Sequence, residues 1–196
     1  MAIEDTPQSF KHPLSGAPKM YPKYYTALFE LEPFEVPDRI NEIGAENNLL
    51  KKEEHHLTLV GFRVGREIKR ILDTLEQDAQ EEKLAAYNSL VESFQASPQV
   101  NFDELFLIKK TYESQPGPDD IALPTHTRNA LVALVDMPEM EAFYTSLNQI
   151  FGTEFDPTFP HVSLYTGSDH ELFERLGIGI YSKEEFEEME KTKVPL

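Results

Sequence analysis

Two short stretches decide how this chain is read: His55–Phe62, HHLTLVGF, and Phe159–Tyr165, FPHVSLY. Both are rich in aliphatic, β-branched and aromatic residues, which predicts strands. Residues two apart in a strand point to the same face. His56 and Thr58 therefore project together, with Leu57 and Leu59 turned the other way, toward a core. His161 and Ser163 do the same in the second stretch, backed by Val162 and Leu164. Each stretch presents one imidazole and one hydroxyl on a common face.

Working outward, Tyr24–Leu31 (YYTALFEL) predicts a strand ahead of the first motif. A helix over about Pro37–Leu49 follows, with Ile40, Ile43 and Leu49 on one face. Asn129–Val135 (NALVALV) predicts a strand ahead of the second motif, and Pro138 opens a helix running through Met140–Phe151. Strand, helix and motif strand thus occur twice, a repeat of architecture with little residue identity beyond the histidines. The period is too long for a solenoid and suggests two lobes.

Between the halves, Arg66–Phe94 carries apolar residues at helical spacing (Ile68, Ile71, Leu72, Leu75, Leu84, Tyr87, Val91). It predicts one long helix, or two joined near Glu81–Glu82, ended by Ser97–Pro98. Residues 100–112 read as one strand or a bent pair. Residues 113–124, with three Pro and a Gly, read as the main loop and a candidate interlobe connection. Ile178–Tyr181 is the candidate closing strand. Ser182-Lys183-Glu184-Glu185 is a capping box for a final helix, with Glu185 returning to the Ser182 amide. Residues 1–22 read as an irregular lead-in, and residues 23–196 as one bilobal domain.

The chain has 196 residues, no cysteine, and 18 Lys+Arg against 35 Asp+Glu, a net charge of −17. A disulfide framework, a thiolate metal site and a cysteine nucleophile are excluded. So strong an acidic balance disfavours wrapping long nucleic acid. It leaves room for a small anion in a locally basic pocket. From Asn129 onward there are four Lys/Arg against 13 Asp/Glu. The start, MAIEDTPQSFKHPLSGAPK, has no apolar core of a secretory signal, and no run is long enough to span a bilayer. A cytoplasmic protein is expected.

If the two halves are related by a pseudo-twofold axis, four groups meet in one cleft. One neutral histidine can take a proton from the attacking water or hydroxyl while a protonated one donates to the leaving oxygen. Thr58 and Ser163 can hydrogen-bond the non-bridging oxygens of a phosphodiester. No metal or other cofactor is needed, and no H-x-x-x-H or H-E-x-x-H spacing offers one.

The pair HHLTL and FPHVSLY resembles the two H-x-[ST]-x signatures of the two-histidine (2H) phosphoesterase superfamily. That group includes RNA 2′,3′-cyclic phosphodiesterases, also called RNA 2′,5′-ligases. The resemblance covers roughly Tyr24 to Gly167. It implies an α+β, bilobal fold with two antiparallel sheets flanking a central cleft, His56 and His161 as the acid/base pair, and Thr58 and Ser163 as phosphate binders. The expected activity is metal-independent opening of a 2′,3′-cyclic phosphate or a related cyclic or 2′,5′ linkage. The substrate would be a small nucleotide or an RNA end, handled by a monomer. The long helical segment, the acidity and the short C-terminal part depart from the pattern and put long RNA in doubt. The competing reading is a non-catalytic nucleotide-binding or interaction module on the same scaffold.

Other residues are weighed beside these. By alternation Tyr165 shares the face of His161 and Ser163, which makes it a candidate for stacking on a base. Tyr25, or its neighbour Tyr24, is a candidate for the same task from the first strand. Arg63 and Arg66 are candidates for a second phosphate. His55 reads as a packing or exposed residue on the opposite face, His126 as a loop residue, and His12 and His170 as surface groups.

Overall fold

The computed structural model describes residues 11–116 and 122–195. The chain runs β1 (Lys11–Pro13), β2 (Gly16–Tyr21), β3 (Thr26–Leu31), α1 (Asp38–Glu46), β4 (Leu50–Lys51), β5 (His56–Val60), α2 (Phe62–Asp73) and α3 (Gln77–Ser93). It continues through β6 (Gln99–Tyr112), β7 (Gln115–Pro116), β8 (Ala122–Leu123), β9 (His126–Asp136), α4 (Glu139–Phe151), β10 (His161–Ser168), α5 (Lys183–Glu188) and β11 (Glu190–Val194).

The strands form two antiparallel sheets and a small β7–β8 hairpin, so the class is α+β. The smaller sheet has the order β2-β3-β5. The larger has the order β1-β6-β9-β10-β4, with β11 added along the outer side of β6. In each sheet the motif strand pairs antiparallel with the strand that precedes it across a helix: β5 with β3 across α1, and β10 with β9 across α4. The repeated strand–helix–strand pattern is thus present in three dimensions. The short β4 leaves the first half to pair with β10 at Lys51 and Leu50, tying the two sheets together.

The core follows from the two periodicities. Leu57 and Leu59 of β5, Val162 and Leu164 of β10, and Leu131 and Ala133 of β9 are buried in one cluster. Helical stripes complete it: Ile40 and Ile43, Ile68 and Leu72, Tyr87 and Val91, and Met140, Phe143 and Leu147. Two buried hydroxyls inside it are satisfied, with Tyr87 donating to the Tyr25 carbonyl at 2.9 Å and Tyr144 paired with Thr158 at 2.7 Å, whereas the buried Thr166 hydroxyl of β10 has no partner among the described residues. A second, smaller cluster covers the other face of the large sheet, where Ala130 and Val132 meet Ile178, Ile180 and Phe186.

Several expectations need correction. Within the lead-in, Lys11–Pro13 and Gly16–Tyr21 are strands, not irregular chain; residues 1–10 lie outside the described residues. Pro13 and Pro18 masked them, yet β1 and β2 are edge strands, where proline's missing donor is tolerated. Tyr24 and Tyr25 fall before the strand, in a turn ending with Tyr25 at φ 52°. The long helical segment is two helices, but the break is at Thr74–Glu76, where the Thr74 hydroxyl bonds the Ile71 carbonyl. Residues 99–112 are one strand with a shift of register between Asn101 and Leu105. The 113–124 segment joins β6 to its own neighbour β9, so it is a hairpin connection and not a link between lobes; residues 117–121 are outside the described set.

Ile178–Tyr181 is not a strand. The closing strand is β11, and residues 174–181 form an irregular strap across the face of the large sheet. The capping box is half made: the Glu185 amide donates to Ser182 Oγ at 3.1 Å, but the Glu185 carboxylate accepts from the Tyr181 amide at 2.8 Å and from Lys110. Lys110 competes for that carboxylate from a strand the local pattern could not see. Among the described residues no helix is long and apolar enough to cross a membrane.

Candidate active site

His56 and Thr58 on β5, and His161 and Ser163 on β10, line one cleft of about 240 Å³. In β5 the alternation holds: His56 and Thr58 face the cleft while Leu57 and Leu59 are buried behind them. In β10, His161 is opposite Leu134 and Ser163 opposite Val132, on the sheet face that the strap covers. The strap forms the opposite wall through Arg175, Leu176, Gly177, Ile178 and Gly179. Three side chains of the large sheet hold consecutive strap carbonyls: Arg128 donates to Gly177 O at 3.2 Å, His161 Nε2 lies 3.1 Å from Ile178 O, and Lys110 donates to Gly179 O at 3.0 Å. A side chain at Gly177 would meet Ser163 Oγ at 2.9 Å, so glycine there lets the strap approach while leaving the hydroxyl in place.

The two histidines differ. Among the described residues no hydrogen bond engages the His56 ring, nor the hydroxyls of Thr58 and Ser163. Burial, then the positive charge of Lys52 and the neighbouring His161, push the His56 pKa down to about 4. His161 is enclosed, with Nδ1 2.8 Å from Phe159 O and Nε2 on Ile178 O. Burial pushes its pKa down, opposed by those two carbonyls. A neutral ring can donate to only one of them, so the imidazolium alone would satisfy both. His55 does more than pack: beside Phe34 at 5.0 Å, its Nδ1 meets Ser163 O at 3.1 Å and so links the strands that carry the two motifs.

These lowered pKa values fix a pH dependence of stability. For His56 the unfolded ring takes a proton as pH falls through about 6.5 while the folded ring resists until about 4. The unfolded state then binds more protons, so stability present above pH 6.5 is lost across that window. His55 and His161 act in the same sense. Melting temperature is expected to drop between pH 7 and pH 4. His56→Gln should remove on the order of 2–3 kcal/mol of that loss, read from denaturant unfolding at both pH values. An unchanged pH slope in the variant would show that His56 is not titrating as its burial implies.

Other sequence candidates are placed elsewhere. The alternation breaks in β10: Ser163 is opposite Val132 but Tyr165 is opposite Leu131, a bulge that turns Tyr165 to the main core. Its ring packs against Gly44 and its hydroxyl donates to Asn41 at 2.6 Å. Tyr165→Phe is expected to cost about 1 kcal/mol of stability, with ligand affinity at the cleft unchanged by calorimetry. Tyr25 is partly buried against the core, and Tyr24 meets Phe62 edge-on at 5.6 Å. Neither lines the cleft. Arg63 lies in a separate depression with Glu67, Glu154 and Asp156, and Arg66 sits over Phe62. His126 is not in a loop: it opens β9, is buried, and stacks between Tyr112 and Phe173 at 5.2 and 3.7 Å.

Lys52, Arg128 and Arg175 line the cleft without having been picked from the sequence. Arg128 lies two residues from His126 on one strand face, but which face of β9 meets the cleft is a property of the assembled sheet. Thr58 and Gly179 also border a neighbouring cavity of about 290 Å³, walled by Leu28, Val60, Phe62 and Tyr181. Among the described residues no group of three or more His, Asp or Glu side chains is arranged to hold a metal ion. Compared with family models, curated proteins and solved structures, the chain matches none.

Proposed function

We propose that this cleft is the active centre of a two-histidine phosphodiesterase opening a 2′,3′-cyclic phosphate or a related cyclic or 2′,5′-linked nucleotide phosphodiester. The reading rests on one observation: two His-x-hydroxyl pairs, from strands of different sheets, line a single cleft. In this reading the chain is a bilobal, pseudo-twofold 2H-type fold and acts as a monomer in the cytoplasm.

His56, neutral near pH 7, takes the proton of the attacking water. The oxygen so activated bonds to phosphorus, the P–O bond to the leaving ribose oxygen breaks, and that oxygen takes the proton of His161. Each histidine ends with the other's starting protonation state, so protons balance. Thr58 and Ser163 donate to the non-bridging oxygens, where charge builds as the fifth oxygen approaches. His161 is left the acid role; burial works against its protonation, and the Phe159 and Ile178 carbonyls oppose that burial in part. For it to act, Nε2 exchanges Ile178 O for the leaving oxygen, which the irregular strap can permit without breaking a sheet.

That same contact favours a second reading, a nucleotide-binding module in which Ile178 O keeps His161 from reacting. A panel of 2′,3′-cyclic mononucleotides, ADP-ribose 1″,2″-cyclic phosphate, 2′,5′-oligoadenylate, cyclic dinucleotides and a cyclic-phosphate RNA, assayed in EDTA, separates the two. Turnover by the wild type and not by the double His56→Ala/His161→Ala variant supports the enzyme. Binding without turnover supports the module.

A further inference from the structure

The cations of the cleft are out of keeping with the chain that carries them. Against a net charge of −17, the cleft is lined by Lys52, Arg128 and Arg175 and by no carboxylate. None of the three is in an ion pair among the described residues. A single phosphodiester carries one negative charge, and two imidazoles and two hydroxyls already attend it.

Arg128 is held in a fixed orientation. Its Nε donates to His126 Nε2 at 3.0 Å, whose Nδ1 in turn donates to Pro124 O at 2.8 Å. Its guanidinium lies 4.3 Å over the Tyr112 ring and 5.2 Å from the Phe173 ring. Nε and one N–H of Nη1, which donates to Gly177 O at 3.2 Å, are spent on positioning, and the remaining N–H groups of Nη1 and Nη2 can meet a ligand from a fixed plane. Lys52 is brought to the same place by its amide, which extends the pairing of β4 to Leu164 O at 3.0 Å. Burial pushes the pKa of both Arg128 and Lys52 down. A half-buried charge of this kind is held at some cost until an anion joins it.

We propose that Arg128, Arg175 and Lys52 form a second anion subsite beside the paired histidines, so that the ligand carries a further phosphate group besides the scissile diester. This deepens the phosphodiesterase reading and, for the word scissile, rests on it. The ligand class is a small nucleotide with a pyrophosphate or an additional terminal phosphate. A long oligonucleotide does not fit, because the acidic surface beyond the cleft repels a running phosphate backbone. The role that the sequence offered to Arg63 and Arg66 passes to these residues.

The test is calorimetric titration of the full chain with inorganic pyrophosphate and with orthophosphate at one fixed ionic strength. Pyrophosphate is expected to bind at least about tenfold more tightly, and Arg175→Gln to erase about tenfold of that affinity. Arg175 is exposed and makes no contact the fold needs, so its variant should fold as the wild type does. Arg128→Gln should weaken pyrophosphate as much, with folding checked by circular dichroism because Arg128 also holds the strap. In the kinetic arm, a 5′-phosphate on adenosine 2′,3′-cyclic phosphate should lower KM in the wild type and not in Arg175→Gln. Equal affinity for the two anions, or indifference to Arg175→Gln, overturns the subsite even if turnover is intact. Pyrophosphate binding that needs Arg175, in a protein with no turnover, upholds the subsite and removes the enzyme reading instead. Affinity that climbs steadily with oligonucleotide length overturns the small-nucleotide class.

Discussion

Replacing either cleft histidine is expected to abolish turnover while leaving the fold in place. His56→Ala and His161→Ala should each lower kcat by roughly 10²–10⁴-fold, the usual worth of a positioned acid or base. The two losses should not multiply in the double variant, because proton removal and proton donation belong to one displacement. Wild-type activity should survive EDTA and rise on the acid side as His56 loses its proton, with a limb near its lowered pKa of about 4. The ring makes no hydrogen bond within the described residues, so His56→Ala deletes no structural partner. His161→Ala is less clean, since it frees the carbonyls of Phe159 and Ile178. His161→Gln keeps a donor toward Ile178 O and should be equally inactive. Full activity in both His56→Ala and His161→Gln would leave the proposed chemistry without its proton carriers.

How much of this site could be read from the chain depends on which physical rule governed each residue. His56, Thr58, His161 and Ser163 were legible because local alternation within a strand fixes the facing of side chains two apart. Tyr165 was not: a single extra residue opposite Val132 and Leu131 reverses the parity, and bulges leave no reliable mark in sequence. The early strands β1 and β2 were hidden by Pro13 and Pro18, which weaken local strand signals but cost little at a sheet edge. Lys52, Arg128 and Arg175 come from three distant segments, and only the pairing of β4 and β9 with β10, and the strap's path, bring them together. Glu185 shows the same limit at short range. Its motif predicts a partner three residues back, and a lysine from β6 draws the carboxylate elsewhere.

The two faces of β5 should answer to different experiments. Leu59→Ala is expected to destabilise the protein by about 2–5 kcal/mol, the cost of a large-to-small change in a packed core. Leu59 is fully buried and belongs to the cluster that joins both sheets to the helices. For a chain of this length each kcal/mol lowers the melting temperature by about 2–4 °C, so a fall on the order of 10 °C is expected. Thr58, one residue away, points into the cleft and makes no hydrogen bond within the described residues. Thr58→Ala should therefore leave melting nearly unchanged, within about 0.5 kcal/mol, while lowering turnover roughly ten- to a thousandfold through loss of a donor to the non-bridging oxygen. Leu59→Ala protein, assayed well below its melting temperature, should turn over at close to the wild-type rate, because its side chain faces away from the histidines. Val162 and Ser163 form the same pair on β10, with Val162 fully buried and Ser163 on the cleft. A result in which Thr58→Ala melts early and Leu59→Ala does not would place β5 in the opposite register. A one-residue slip exchanges the two faces of a strand completely, and the histidine would then be in the core.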